Sequence, residues 1–385
     1  MGSYHVQILR SRDEIEALRD FWSACNPGRD CDLDFYLFVA DHIDGCLRPH
    51  VILLLEDGIP RALLAGRLDV GRVPIRAGYY TLPVPSIRIL RIVHGGCLGE
   101  ITHERARLLI GSVNQSLAAD EADAAMLESV EVNSPIAECA RQLPSRLCRD
   151  RLIYPQIHRM RDMAASSGTV QSHLSSHART AQRQRTTKLK RAFGDVRIKR
   201  VRSCDEVPGL IRDAERIAQR SYQSGLGVGF SRTPFVESRL AFEAQKGWLR
   251  AYVLYLDEDP CAFWIGSLRN GAFISNYLAF DPSYSEYSPG MYLLLIAMED
   301  VLADASIVRL FDFGIGDAGY KERLSNRFVE EAPIYVFAPR IKALGINALR
   351  STVGVVNHSI KHSSKLAPQV NKIKRWLRRR AAERA

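Results

Sequence analysis

No apolar run in this 385-residue chain approaches the ~18 residues a helix needs to cross a bilayer; the longest candidate, at 51–55, is strand-length. The N-terminus lacks a basic stretch followed by an apolar one, so no export signal is expected. The eight cysteines include no CxxC pair, and no histidine pair lies near them at ligand spacing. That argues against a zinc site, and a disulfide framework is not expected in a chain of this size without an export signal. His173 and His177 are four apart, but no third ligand accompanies them. No metal is expected. The thiols read as free ones in a reducing compartment, which places the protein in the cytoplasm.

What the chain has is uneven charge. Its net charge of +10 divides into −7 over residues 1–140, +13 over 141–202, −7 over 203–339 and +11 over 340–385. Two acidic stretches are joined by a basic connector and followed by a basic tail. Such patches suit a polyanion or an anionic membrane surface. The stretch at 171–191, QSHLSSHARTAQRQRTTKLKR, has few large apolar residues. It reads either as a solvated helix or linker, or as an electrostatic wall for an anionic substrate.

An internal repeat gives the organisation. Residues 51–68, VILLLEDGIPRALLAGRL, align at an offset of 200 with residues 251–268, AYVLYLDEDPCAFWIGSL. Leu54/Leu254, Asp57/Asp257, Pro60/Pro260, Ala62/Ala262, Gly66/Gly266 and Leu68/Leu268 are identical. Both copies read as a strand, a tight acidic turn and a second strand. A period this long fits a duplicated domain rather than a solenoid.

The second half predicts a strand at 196–201, helices at 205–222 and 233–246, and strands at 249–256, 261–268 and 272–280. A loop at 281–289 then leads to a helix at 291–303, a strand at 307–313, a short helix at 318–324 and a last strand at 333–337. The first half predicts a strand at 4–9, helices near 13–24 and 33–44, the hairpin, a helix at 104–117 and a strand at 124–132. The expected fold class is mixed α/β, with helices packed on a twisted sheet in each of two domains.

Chemistry concentrates in two segments. Residues 280–294, FDPSYSEYSPGMYLL, follow a strand and open a helix. A helix start offers unpaired N–H groups and the positive end of the dipole, which suits phosphate or pyrophosphate. Gly290 allows close backbone approach. Residues 311–321, FDFGIGDAGYK, combine a strand end, a Gly-rich bend and a Tyr-Lys pair. Asp312 and Asp317 lie at or past a strand's C-terminal end, where α/β sites open. They are candidate bases; equally, Asp312 could hold the bend and Asp317 could cap a helix. Lys321 is a phosphate or carbonyl ligand, or a surface ion pair. Asn276 and Tyr277 lie on the strand before the loop. Strict alternation would turn only one of them toward a cleft.

These segments resemble the GNAT acetyltransferases, whose acyl-CoA loop follows the fourth strand. Gly290 takes that loop's last glycine, while Ser285 and Ser288 stand at its basic-or-amide and first-glycine positions. Asp281, Pro282, Ser288, Pro289, Gly290, Asp312, Gly316, Tyr320 and Lys321 together are similar to the branch associated with cellulose and exopolysaccharide synthesis, a relative of the Fem-type aminoacyl transferases. The resemblance implies two tandem GNAT-like domains and acetyl-CoA as donor. It implies donor contacts at Ser288, Pro289, Gly290 and Met291, acceptor contacts at Asn276 and Tyr277, and catalysis by Asp312, Asp317, Tyr320 and Lys321. Tyr320 would protonate the leaving sulfur, or serve as a core aromatic. The acceptor would be an amine or hydroxyl, including a glycan-linked one.

The expected division is a degenerate GNAT-like domain at 1–165 that shapes the acceptor cleft, a basic connector helix at 166–192, the acyltransferase domain at 193–340 and a basic amphipathic tail at 341–385. That tail would lie on an anionic membrane surface, peripheral to its inner face, or remain solvated. Two rival readings are an aminoacyl-tRNA-dependent Fem-like transferase and a non-catalytic adaptor of polysaccharide machinery.

Overall fold

The computed structural model describes residues 3–77, 80–163, 175–221, 229–304, 308–316 and 318–362. Among them, residues 3–156 and 330–362 form one body and residues 157–329 another.

The first body contains β1 (Tyr4–Leu9), α1 (Arg12–Glu16), α2 (Arg19–Ala24), α3 (Leu33–His42), β2 (Cys46–Glu56) and β3 (Ile59–Gly71). The two-residue strands β4 (Arg76–Ala77) and β5 (Tyr80–Thr81) follow, then β6 (Ile87–Gly99), α4 (His103–Ala118), β7 (Ala124–Glu131) and α5 (Pro135–Gln142). The second contains β8 (Gln156–Asp162), α6 (Ser176–Ala192), β9 (Val196–Val201), α7 (Val207–Arg220), α8 (Pro234–Gln245), β10 (Leu249–Leu256), β11 (Asp259–Arg269) and β12 (Ala272–Phe280). It continues through a 3-10 turn, Pro282–Tyr287, to α9 (Pro289–Asp304), β13 (Leu310–Ile315) and α10 (Gly319–Leu324). The chain then supplies β14 (Arg327–Phe337) and α11 (Ile341–His362).

The strands of the two bodies follow one topology. In the first, β1-β2-β3-β6 are antiparallel neighbours, β6 and β7 are parallel, and β14 is antiparallel to β7. In the second, β9-β10-β11-β12 are antiparallel, β12 and β13 are parallel, and β8 is antiparallel to β13.

The repeat is also kept in detail. Leu54 faces Ala62 and Leu254 faces Ala262, and each hairpin slips register at the next position. The following ladders slip at Gly66 and Gly266. A Cβ at Gly66 would lie 2.8 Å from the His50 carbonyl oxygen, and one at Gly266 would lie 2.3 Å from the Phe273 ring. A side chain fits at neither place.

Alternation along the strands sorts the cores. Ile52 and Leu54 pack under α4, as Tyr252 and Leu254 pack under α9. Val51 and Leu53 face α1–α3, as Ala251 and Val253 face α7 and α8.

Four expectations change. The helix near 13–24 is two short helices, because Ala17 already closes the first. The strand expected at 333–337 to end the second half is β14, and it pairs with β7 in the first body. Part of the basic stretch expected to be connector is β8, an antiparallel partner of β13. Residues 341–362, expected to open a separate tail, fold as α11 on the first body, where Ala343 and Ile346 are buried in the core beneath it. The basic end of that tail, from Lys372 to Arg380, lies outside the described residues, as does His173. Among the described residues, no helix is long and apolar enough to cross a membrane.

Candidate active site

The helix start at α9 is built by its loop. Asp281 accepts hydrogen bonds from the Ser283 N–H (2.9 Å) and hydroxyl (2.7 Å), and Arg220 donates to it at 3.2 Å. Burial opposes the charge on Asp281, but these bonds outweigh it and hold the carboxyl below its usual range. The 3-10 turn then ends at Ser288, which adopts a left-handed conformation (φ 51°, ψ 53°) and redirects the chain. Pro289 has no N–H to leave unpaired, and the first helical bond runs from the Tyr292 N–H to the Ser288 carbonyl (3.1 Å). The N–H groups of Gly290 and Met291 therefore project from the helix start. The first turn carries no acidic residue. A Cβ at Gly290 would lie 3.2 Å from the Phe280 ring, so this loop packs closely on the end of β12.

The matching start in the first body is closed. The Thr102 hydroxyl accepts from the Arg105 N–H (3.3 Å), Glu104 sits in the first turn, and Arg105 is paired to Glu100 at 2.8 Å. Its own side chains occupy the place an anion would take.

Beside α9, β12 and β13 pair over only three positions, the last being Ile274 with Asp312. Beyond that point β12 runs on to Phe280 and no further pairing joins it to β13, which opens a cleft between parallel strands. Asp312 sits where the parting begins. It is 5% exposed, and its Oδ1 accepts from the Gly314 N–H (2.7 Å) and lies 2.7 Å from Nε2 of His158, itself 4% exposed. The carboxylate thus holds the Gly-rich bend and also meets a buried imidazole. Lys321 Nζ donates to the carbonyls of Gly314 (3.2 Å) and Ile315 (2.8 Å), tying α10 back to the end of β13. Tyr320 is half-buried against the α9-side core. Asp317 lies outside the described residues.

Strict alternation fails at Asn276. Tyr277 pairs with Ile265 and Ser275 with Gly266, which leaves Asn276 as the extra residue of a bulge. Tyr277 stands edge-on to Phe230 (5.4 Å) on the α7–α8 side, while Ser275 accepts from the Trp264 indole (2.8 Å) on the α9 side. Asn276 Nδ2 is shielded from solvent and meets no acceptor among the described residues.

Cys31, Cys97 and Cys261 offer no activated nucleophile. Burial pushes Cys97 and Cys261 up to about 12 and raises Cys31 well above the ordinary thiol value.

Residues 176–322 match the acetyltransferase (GNAT) domain family. That match lies within the second body. The GNAT fold extends over both bodies. The chain is similar to the crystal structure of FemX (TM-score 0.56, 11% identity, 86% of this chain and 97% of that one). It is also similar to a tandem GNAT protein from the clavulanic acid biosynthesis pathway (TM-score 0.50, 11% identity, 87% and 99%). A Bacteroides thetaiotaomicron protein of unknown function is similar as well (TM-score 0.50, 11% identity, 86% and 100%). No curated protein matches the chain. At these identities the structures establish the fold alone.

His158 was not visible in the sequence. It lies in QIHRMRD, inside the basic stretch, and nothing local marks it. Its meaning comes from β8 pairing beside β13, where His158 faces Ile315.

Proposed function

We propose that the GNAT body transfers an acyl group, acetyl in the simplest case, from a CoA thioester to an amine or hydroxyl acceptor. The contrast between the two helix starts carries this reading: the start of α9 is open and free of acid in its first turn, whereas that of α4 is capped and acidic. The N–H groups of Gly290 and Met291 receive the donor pyrophosphate, with Ser288 and Pro289 shaping the approach. The thioester extends into the parting between β12 and β13.

There the Asp312–His158 pair takes the acceptor's proton as its nitrogen or oxygen attacks the thioester carbonyl. The carbon–sulfur bond breaks, and Tyr320 protonates the departing thiolate. Lys321 acts as a positioning residue through the bend it ties. Asn276 supplies an amide donor beside the cleft, and Tyr277 lines the acceptor side. We assign the acceptor to envelope polysaccharide or its precursors on the motif spacing between residues 281–290 and 312–321. The basic α6 favours a second reading, an aminoacyl-tRNA donor.

The test is thermal unfolding with and without acetyl-CoA, in the parent and in Gly290→Trp, with the unliganded midpoint as folding control. A ligand at ~100 times its dissociation constant stabilises by about 2.7 kcal/mol. A parent shift that disappears in a folded variant supports the donor site. A folded parent that does not shift sinks it.

A further inference from the structure

The helix α6 is costly by itself. Its 17 residues include Arg179, Arg183, Arg185, Lys188, Lys190 and Arg191 and no acidic residue. Arg179 and Arg183 are four apart, and Lys188 lies three from both Arg185 and Arg191. Like charges at these spacings repel. Yet the helix is firmly placed. Leu189 is fully buried in the α9-side core, Lys188 pairs with Glu286, and Phe193, just past the helix, packs its ring on Tyr284 and Tyr287 (5.9 and 5.2 Å). All three partners belong to the turn that delivers the chain to the start of α9.

Between α6 and α9 lies a groove of about 440 Å³. Arg183, Thr186 and Lys190 face it from one side of α6, at spacings of three and four. Tyr292 and Ile296, in the first two turns of α9, form an apolar floor. Gln182 also lines it, with an Nε2 shielded from solvent and no acceptor among the described residues. Neither Arg183 nor Lys190 has an ion-pair partner among the described residues. The groove therefore offers two uncommitted cations, a hydroxyl and an unused amide donor beside an aromatic surface.

We infer that this groove binds the nucleotide end of the donor, with Arg183 and Lys190 gripping the 3′-phosphate of CoA. This inference rests on the proposed donor site at α9. A pyrophosphate at Gly290 and Met291 leaves the adenosine to run along the adjacent turns of α9, and the 3′-phosphate then lies one ribose away, within reach of α6. The apolar floor suits the ribose and base. Guanidinium and ammonium groups suit a dianionic monoester better than any neutral part of the molecule. The consequence is specificity: CoA thioesters are preferred over dephospho-CoA thioesters.

Calorimetric titration of the folded full-length chain with CoA and with dephospho-CoA tests this, in the parent and in Arg183→Ala, Lys190→Ala and Arg185→Ala. Arg185 does not line the groove, so its variant removes the same charge elsewhere. The parent should bind CoA at least about tenfold more tightly than dephospho-CoA, as charge-assisted hydrogen bonds allow. Arg183→Ala and Lys190→Ala should each erase most of that preference, and Arg185→Ala should keep it. Equal parent affinities overturn the inference while leaving the donor site intact. So does a preference that survives both groove variants, or one lost equally in Arg185→Ala. A parent that binds neither ligand overturns the donor site itself. If that parent binds an RNA hairpin with steep salt dependence, the groove is a nucleic-acid surface and both readings fall.

Discussion

The carboxylate of Asp57 does in the first body what that of Asp257 does in the second. Asp57 Oδ1 accepts from the Ser3 N–H at 2.8 Å, and Asp257 Oδ1 accepts from the Asp195 N–H at 2.9 Å. The N–H of each aspartate returns a bond to the carbonyl of the same residue, at 3.0 and 2.8 Å. Both adopt left-handed backbone, φ 51° and 54°. Each clasp fixes the hairpin tip to the residue before an antiparallel outer strand, β1 in the first body and β9 in the second. Asp257→Gly keeps the backbone freedom and loses the clasp, so it should cost about 1 kcal/mol. Asp257→Ala adds left-handed strain and should cost about 1 kcal/mol more. Urea unfolding of both variants checks this; equal losses would mean the strain is unimportant.

Asp312→Asn can still accept from the Gly314 N–H but no longer offers a charge to His158. Its kcat should fall on the order of 10²–10⁴-fold with the donor KM unchanged. His158→Gln should fall similarly, and the double variant no further than the worse single one, because members of one catalytic unit are non-additive. Steady-state kinetics decides: a double variant whose losses multiply would separate the two roles.

Tyr320→Phe removes a hydroxyl from a half-buried ring and should leave the fold intact. The turnover should drop on the order of 10². If Tyr320 protonates the thiolate, the loss should shrink with a donor whose leaving thiol is more acidic. A loss independent of the leaving group would reassign Tyr320 to packing.

Stability in the first body should depend on His50. Burial, then the nearby Arg48, lower its pKa to about 4 against the attraction of Glu121. Between about 4 and 6.5 the unfolded chain binds a proton that the folded one does not. Stability should therefore fall as pH drops through that window, by on the order of 3 kcal/mol, and level off below it. Melting curves at pH 7 and pH 5, compared between the parent and His50→Gln, read the effect; an unchanged slope in the variant would put its origin elsewhere.

The hairpins were legible because apolar runs between Asp, Gly and Pro turns leave little choice of element, and the β10–β12 strands lie where those runs fall. β6 was not legible. Its run is broken by Arg88, Arg91 and the Gly95–Gly96 pair, and the two arginines are tolerable only because Asp120, Asp69 and Glu128 meet them from other segments. β8 failed for the same reason: Arg161 finds the Leu324 carbonyl at 2.6 Å, a partner 163 residues away. The helix start at Gly290 could be read locally because a Ser-Pro-Gly sequence dictates it. The pairing of Asp312 with His158 could not, because it depends on which strand lies beside β13. The bulge at Asn276 likewise upset a rule of alternation that holds only for unbroken ladders.

The exchange of last strands bears on the order in which the protein can be made. β8 follows the first repeat in sequence but pairs with β13 in the second body, and β14 follows the second repeat but pairs with β7 in the first. The first body therefore stays without its final strand on the ribosome until β14 has emerged, after every strand of the second body. Until then β7 has one side unpaired, an open edge of the kind that invites wrong partners. No single cut of the chain separates the two bodies.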